Sequence, residues 1–235
     1  MLQLNNLYLM DCMQGMSTFP DKYFDIAVVD PPYGIGNDGG KIGGDNGTPA
    51  TNYTKYEWDN EPPPVAYFTE LTRVSKNQII FGANHFIDRI GKPSPCWIVW
   101  DKQNTGKFAD CELAYTSYKT AVRMFSYRWN GFLQGNMKNK EARFHPTQKP
   151  TALYAWIYQN YAKQGDKVLD THAGSASSLV AAYDLGLDYI GFEINEEYYT
   201  AATERIESAK AQIRLDGFMQ VEFTSGGVDN YNVRA

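Results

Sequence analysis

Short apolar runs alternate with stretches of helical spacing along the chain. Residues 7–10 (LYLM) read as a strand that ends at Asp11, with a helix following through Met16. Residues 24–29 (FDIAVV) form a compact, β-branched run of the kind buried on both faces of a parallel sheet. That run stops at Asp30-Pro31-Pro32-Tyr33-Gly34. Prolines donate no ladder hydrogen bond, so the strand must end there in a turn. A helix is predicted over residues 65–74, and strands over 78–81, 96–100 and near 112–118. The C-terminal third reads as alternating strands and helices: helix 151–162, a turn at Gly165-Asp166, strand 167–170, loop 171–177, helix 178–185 capped by Gly186, strand 189–193 and helix 196–213. Residues from 216 onward carry mixed signals. Strands alternating with helices predict an α/β fold with a mostly parallel central sheet.

Residues 34–47 hold seven glycines in fourteen positions and are expected to carry no regular structure alone and to be mobile. They are not a phosphate-binding loop. Gly40-Lys41 lacks a glycine five positions before Gly40 and is followed by Ile42 in place of Ser or Thr.

Length and composition then narrow the class. With 235 residues, 43% of them hydrophobic and 21% charged, the chain fits one α/β domain over 1–235 with a packed core. That excludes wholesale disorder and fibrous classes. No run approaches the ~20 apolar residues that cross a bilayer. The start of the chain lacks signal-peptide features. Cys12, Cys96 and Cys111 form no C-x-x-C pair. A reduced, cytoplasmic setting is expected, with no membrane and no metal: His85, His145 and His172 show no ligand spacing. Cys96 precedes a strand and is expected in the core.

Net charge is −5. The mean conceals a segregation. Lys119, Arg123, Arg128, Lys138, Lys140, Arg143 and Lys149 crowd residues 119–149, where Glu141 is the sole acid, and Phe125, Tyr127, Trp129 and Phe132 are interleaved. A basic patch on an acidic body is the footprint of a nucleic-acid groove; the alternative is a solvated loop.

Two segments carry candidate chemistry. Residues 168–182 (VLDTHAGSASSLVAA) make a strand, a small glycine-containing loop and a helix, so backbone amides can approach a ligand at a helix start. Glu193 lies 23 residues after Asp170, where nucleotide-binding α/β folds place an acid for ribose hydroxyls. Gly-x-Gly-x-x-Gly is absent, which disfavours NAD. The second segment is sharper. In Asp30-Pro31-Pro32-Tyr33 the rigid backbone can aim a carboxylate and the next carbonyl at one point, beside a flat ring. Such a corner accepts two hydrogen bonds from an exocyclic amine whose base stacks on the ring, and it stabilises positive charge as the amine attacks.

The ordered set of segments resembles the amino-group (N6-adenine/N4-cytosine) DNA methyltransferases in their β-type motif order. Residues 30–33 match the acid-Pro-Pro-aromatic catalytic motif. Residues 8–12 (YLMDC) resemble the strand-end acid that meets the cofactor adenine. Residues 97–115 resemble the wall of the target-base pocket, and residues 145–150 (HPTQKP) the motif beside the methionine end of the cofactor. The likeness runs over roughly 7–213. It implies a Rossmann-like class I methyltransferase fold, circularly permuted, with a short target-recognition insert at 120–144. It also implies S-adenosyl-L-methionine as cofactor and double-stranded DNA as partner, and leaves a homodimer open. Implied catalytic residues are Asp30, Pro31, Pro32 and Tyr33. Implied cofactor residues are Asp11, Cys12, Asp30, Thr147, Gln148, Lys149, Asp170, His172, Gly174, Ser175, Ser177 and Glu193. Lys119, Arg123, Arg128, Lys138, Lys140 and Arg143 would hold phosphates. The expected activity is adenine-N6 methylation of a flipped base; the alternatives are cytosine-N4 methylation and a non-catalytic cofactor-binding module. Two positions depart from the family loop: Thr171-His172 stand for Pro-Phe, and Ala176 for a glycine. No nuclease or helicase signature accompanies these motifs.

Overall fold

A computed structural model describes residues 1–42, 51–104, 109–130 and 133–216. Its strands are β1 (Asn6–Leu9), β2 (Phe24–Val29), β3 (Gly40–Ile42), β4 (Thr51–Tyr53), β5 (Ser75–Phe81), β6 (Trp97–Asp101), β7 (Cys111–Thr116), β8 (Arg123–Ser126), β9 (Trp129–Asn130), β10 (Leu133–Gln134), β11 (Lys167–Asp170) and β12 (Asp188–Glu193). The helices are α1 (Cys12–Ser17), α2 (Val65–Val74), α3 (Ile87–Ile90), α4 (Thr151–Tyr161), α5 (Ser177–Asp184) and α6 (Glu196–Asp216).

Eight strands form one sheet in the order β1-β12-β11-β2-β5-β7-β6-β8. Its pairs are parallel apart from the two made by β7, which runs against both β5 and β6. The first and last strands among the described residues, β1 and β12, lie side by side, with Leu9 opposite Glu193. This is the Rossmann-like sheet expected from the alternation of elements.

The alternating residues of β2 divide the core. Ile26 and Val28 pack with Leu153 and Ile157 of α4 and Leu179 of α5 on one face. Ala27 and Val29 pack with Met16 of α1 and Tyr67 and Leu71 of α2 on the other. Burial on both faces explains why β2 is apolar almost throughout. Cys96 is fully buried, as its place before β6 predicts.

Two expectations change. Residues 40–42 of the glycine-rich segment pair with residues 51–53 as a small hairpin, because the partner strand supplies the hydrogen bonds that glycine-rich chain lacks alone; residues 43–47 lie outside the described residues. The stretch 120–144 is not wholly an insert. Its beginning is β8, the edge strand of the main sheet, and only afterward come the short paired strands β9 and β10. No helix among the described residues is long and apolar enough to cross a membrane.

Candidate active site

Four acids stand at the carboxyl ends of four neighbouring parallel strands. Asp11 follows β1, Glu193 ends β12, Asp170 ends β11, and Asp30 follows β2. The chain leaves β11 for β12 on one side and β2 for β5 on the other. Between them opens the crevice at which α/β sheets bind ligands.

A cleft of about 470 Å³ occupies this edge. Asp11, Cys12, Asp30, Thr147, Gln148, Lys149, His172, Gly174, Ser175, Ser177 and Glu193 all line it. The cavity therefore joins the Asp-Pro-Pro-Tyr corner to the glycine loop without a break. Asp170 is the exception among the expected cofactor residues. It is 2% exposed, beneath the cleft, where its oxygens accept hydrogen bonds from the His172 amide and the Ser178 hydroxyl. It shapes the loop instead of facing a ligand, and burial pushes its carboxyl up to about 7.

The loop is built for close approach. Gly174 has φ +50°, and a Cβ there would lie 3.3 Å from the His145 ring. Ala176 takes φ +57° in the place of a family glycine, a left-handed conformation that costs a side chain roughly 1–2 kcal/mol. Glu193 binds the Gly174 amide at 2.8 Å and the Asn195 amide at 2.8 Å, tying the ends of β11 and β12 together. His172 packs edge-on against Tyr67, and burial lowers its pKa to about 4, so it serves as a neutral ring where the family has Phe. Burial, aided by Asp11, pushes the Cys12 thiol up to about 12, which leaves no thiolate nucleophile.

Thr147 sits against the His145 ring, with its hydroxyl 3.3 Å from Nδ1. Gln148 accepts from the Trp129 indole through its carbonyl at 2.7 Å. Arg205 of α6 donates to the Ser175 carbonyl at 2.9 Å and the Ser177 hydroxyl at 2.8 Å, and pairs with Glu141 at 2.7 Å. Glu141, the one acid in the basic stretch, thus anchors that stretch to the loop.

At the other end of the cleft, both oxygens of Asp30 are engaged. The Tyr33 hydroxyl donates to Oδ1 at 2.6 Å, and Lys149 Nζ contacts Oδ2 at 2.5 Å. Pro32 lines the cleft, whereas Pro31 is buried and Tyr33 turns inward. The Tyr33 ring stacks on His85, centroids 5.2 Å apart, and Lys149 Nζ overlies it at 5.6 Å. Tyr33 is seated by Gly82, whose φ is +67° and whose Cβ position lies 2.0 Å from the ring. Gly82→Ala therefore adds a backbone strain and a clash together. We expect about 2–4 kcal/mol of lost stability, read as a lower urea midpoint; an unchanged midpoint would show that Tyr33 is not held this way.

Sequence reasoning missed the far wall: Tyr56, Glu57 and Trp58, with Ile194, Asn195 and Tyr198. Trp58 stacks on His145 at 5.8 Å, and Tyr198 meets the same ring at 4.3 Å. It also missed Asp59, 2% exposed, which accepts from the amides of Tyr33 at 2.6 Å, Gly34 at 2.9 Å and Asn37 at 2.7 Å. The signal was an aromatic-acid run, Tyr-Glu-Trp-Asp, in a connector otherwise polar and glycine-rich.

The basic residues separate. Lys119, Arg123, Arg128, Lys138 and Lys140 are exposed. Arg143 lies over the Trp129 ring at 5.4 Å and is half-buried, and Lys149 is buried, so neither belongs to a phosphate-gripping surface. The aromatics face inward as well: Trp129 is buried, and Phe125 packs on Trp156 at 5.4 Å. Phe132 lies outside the described residues.

Comparisons with known proteins agree with this architecture. The family model described as DNA methylase matches residues 96–204. The type II methyltransferase M2.MboI of Moraxella bovis is 24% identical over 239 residues, spanning 85% of this chain and 86% of its own. The solved structure of the M1.HpyAVI–SAM complex is similar with a TM-score of 0.56 at 17% identity, covering 86% of this chain and 98% of that one. The cytosine-N4-specific PvuII DNA methyltransferase has a TM-score of 0.56 at 13% identity, covering 88% and 92%. Residues 96–204 thus match the DNA methylase family model, and most of the chain is similar to DNA methyltransferases.

Proposed function

We propose that the protein transfers a methyl group from S-adenosyl-L-methionine to the N6 amine of adenine in double-stranded DNA. The observation that carries this reading is the unbroken cleft between the Asp30 corner and the glycine loop.

The residues fit the cofactor. Gly174 leaves the space a Cβ would fill, the glycine loop lines the cleft, and Glu193 and Asp11 supply carboxylates at neighbouring strand ends for ribose hydroxyls and an adenine amine. Tyr198 contributes to the cleft wall beside the His145 ring. When bound, S-adenosyl-L-methionine supplies an electrophilic methyl group on a positively charged sulfur.

The protein's own part is placement and charge. A base swung out of the duplex costs a few kcal/mol, offset by contacts in the pocket. Asp30 and the Pro31 carbonyl accept the amine hydrogens, which favours a pyramidal nitrogen and stabilises its growing positive charge. The nitrogen attacks directly, so no side chain forms a covalent intermediate. Rigid placement of the two reactants supplies much of the acceleration. Lys119, Arg123, Arg128, Lys138 and Lys140 are exposed cations suited to phosphate contacts, and their binding should weaken steeply with salt. Residues 120–144 then serve as the recognition segment, with β8 as their rigid base.

An acid before Pro-Pro supports adenine over cytosine, since cytosine-N4 enzymes more often carry Ser there. The test is methylation of DNA by the purified protein, with hydrolysis to nucleosides and mass detection. N6-methyladenine is expected. N4-methylcytosine would replace the base assignment. S-adenosyl-L-methionine binding without any methyl incorporation would indicate a binding module.

A further inference from the structure

Lys149 stands where the reading above needs a substrate. Its ammonium is 4% exposed on the side-chain scale and lies in the angle between the Asp30 carboxylate, at 2.5 Å, and the face of the Tyr33 ring, at 5.6 Å. An amine donating to Asp30 from a base stacked on Tyr33 would fill that same angle. A buried cation cannot simply be pushed into apolar surroundings, because an unpaired buried charge is costly. Phe81 lies on one side, its centroid 4.9 Å from Nζ. The other direction holds Glu112 of β7, with Oε2 at 3.1 Å from Nζ. Glu112 is itself anchored by Lys102 at 2.7 Å. Its carboxyl would be raised by burial, but Lys149 and Lys102 together hold it down to about 2, so it stays ionised.

We propose that Glu112 is a positioning residue of the base pocket: it offers Lys149 a second carboxylate, so that the ammonium withdraws from Asp30 when the target amine arrives. The Asp30–Lys149 pair then keeps the catalytic carboxylate ionised in the empty site, and Glu112 keeps the pair from being permanent. This rests on the methyltransferase reading, since it concerns the amine seat of that reaction. Neither residue's part follows from the Asp-Pro-Pro-Tyr motif, and Glu112 belongs to none of the cofactor segments.

The pH dependence has a definite sign. Turnover requires ionised Asp30. Burial raises its pKa, Glu112 raises it further, and Lys149 and the Tyr33 hydroxyl lower it. The other groups facing it are Tyr154 of α4, Tyr67 of α2 and Asp170 of β11. Activity is thus lost as pH falls through the raised pKa of Asp30. Removing the Glu112 charge moves this acidic limb to lower pH, whereas removing the Lys149 charge moves it to higher pH.

The experiment compares wild type, Glu112→Gln and Lys149→Met as full chains, measuring kcat, KM for DNA, S-adenosyl-L-methionine affinity by calorimetry, the kcat/KM–pH profile, which reports the free enzyme, and the thermal midpoint. For Glu112→Gln we expect kcat to fall roughly ten- to hundredfold, as when a supporting partner behind a reactive group is removed. Cofactor affinity should be unchanged and the acidic limb should move to lower pH. For Lys149→Met the limb should move upward. Wild-type kcat and an unmoved limb in Glu112→Gln overturn the proposal, as does a lower active fraction with an unaltered profile, which marks a merely structural ion pair. If wild type itself neither binds the cofactor nor methylates DNA, the methyltransferase reading fails instead.

Discussion

Asp30→Ala should lower methyl transfer by about 10²–10³-fold or more, the scale seen when a preorganised hydrogen-bonding partner of a charged transition state is deleted. Two causes combine. The amine loses the acceptor that pyramidalises it, and its growing positive charge loses the nearest anion. Lys149 makes the loss worse, because without Asp30 its ammonium remains 5.6 Å over the Tyr33 ring with only Glu112 to balance it. Cofactor affinity should stay close to wild type, since the glycine loop, Glu193 and Asp11 are unaltered. Incorporation of labelled methyl groups and calorimetric cofactor titration check the two halves separately. Equal loss of both would refute the assignment of Asp30 to the amine. Asp30→Asn keeps one carbonyl acceptor but no charge, so it should fall between wild type and Ala.

The second large effect is on stability. Asp59→Ala removes the acceptor of three backbone amides, those of Tyr33, Gly34 and Asn37. Asn37 is exposed and can turn to water. The other two are partly buried, and at about 1–3 kcal/mol for each unsatisfied donor the expected cost is about 2–6 kcal/mol. The same change frees the chain after the catalytic corner from the run that carries Tyr56 and Trp58 on the cleft wall, so cofactor affinity should fall too. Urea unfolding and calorimetry give the two numbers. A wild-type unfolding midpoint in Asp59→Ala would mean that these amides find other partners and that the corner is held from elsewhere. Asp59→Asn retains one oxygen acceptor and should lose less.

Glu112 lies in the segment 97–115 and Asp59 ends the run Tyr-Glu-Trp-Asp, yet the two share a property that explains why neither one's role was legible in the sequence. Each acts on a motif residue far along the chain: Glu112 on Lys149, Asp59 on Tyr33. A single carboxylate in a strand or a connector carries no periodic or spacing signal. Its importance comes from what folding brings to within hydrogen-bonding distance. Asp170 shows the converse. Its position at a strand end made it look like a ligand-facing acid, yet the loop's His172 amide and the Ser178 hydroxyl of α5 satisfy it below the surface.

The basic stretch was half legible. Its charge count was correct, but charge counts do not distinguish a lysine on an edge strand from one drawn inward between two acids. Lys119, Arg123 and Arg128 stay exposed around β8, whereas Lys149 is recruited into the core of the site by Asp30 and Glu112. Phe125 and Trp129, interleaved with these charges, turned inward for the same reason that apolar residues of other strands do: one face of the sheet edge must be covered.

By itself the sequence determined most elements of the parallel part of the sheet and their class. Apolar runs of strand length, prolines that cannot continue a ladder, and helical spacing between them are local properties, and local sterics and hydrogen bonding fix their outcome. The order of the motifs along the chain was enough for the resemblance to DNA methyltransferases. Tertiary structure alone decided which acids face the cleft, that Lys149 sits on the catalytic carboxylate, and that Asp59 pins the corner from the next connector. Those are matters of distance between residues remote in sequence, and such distances are set only when the parallel strands pair in the order β1-β12-β11-β2-β5 and bring their carboxyl ends to one edge.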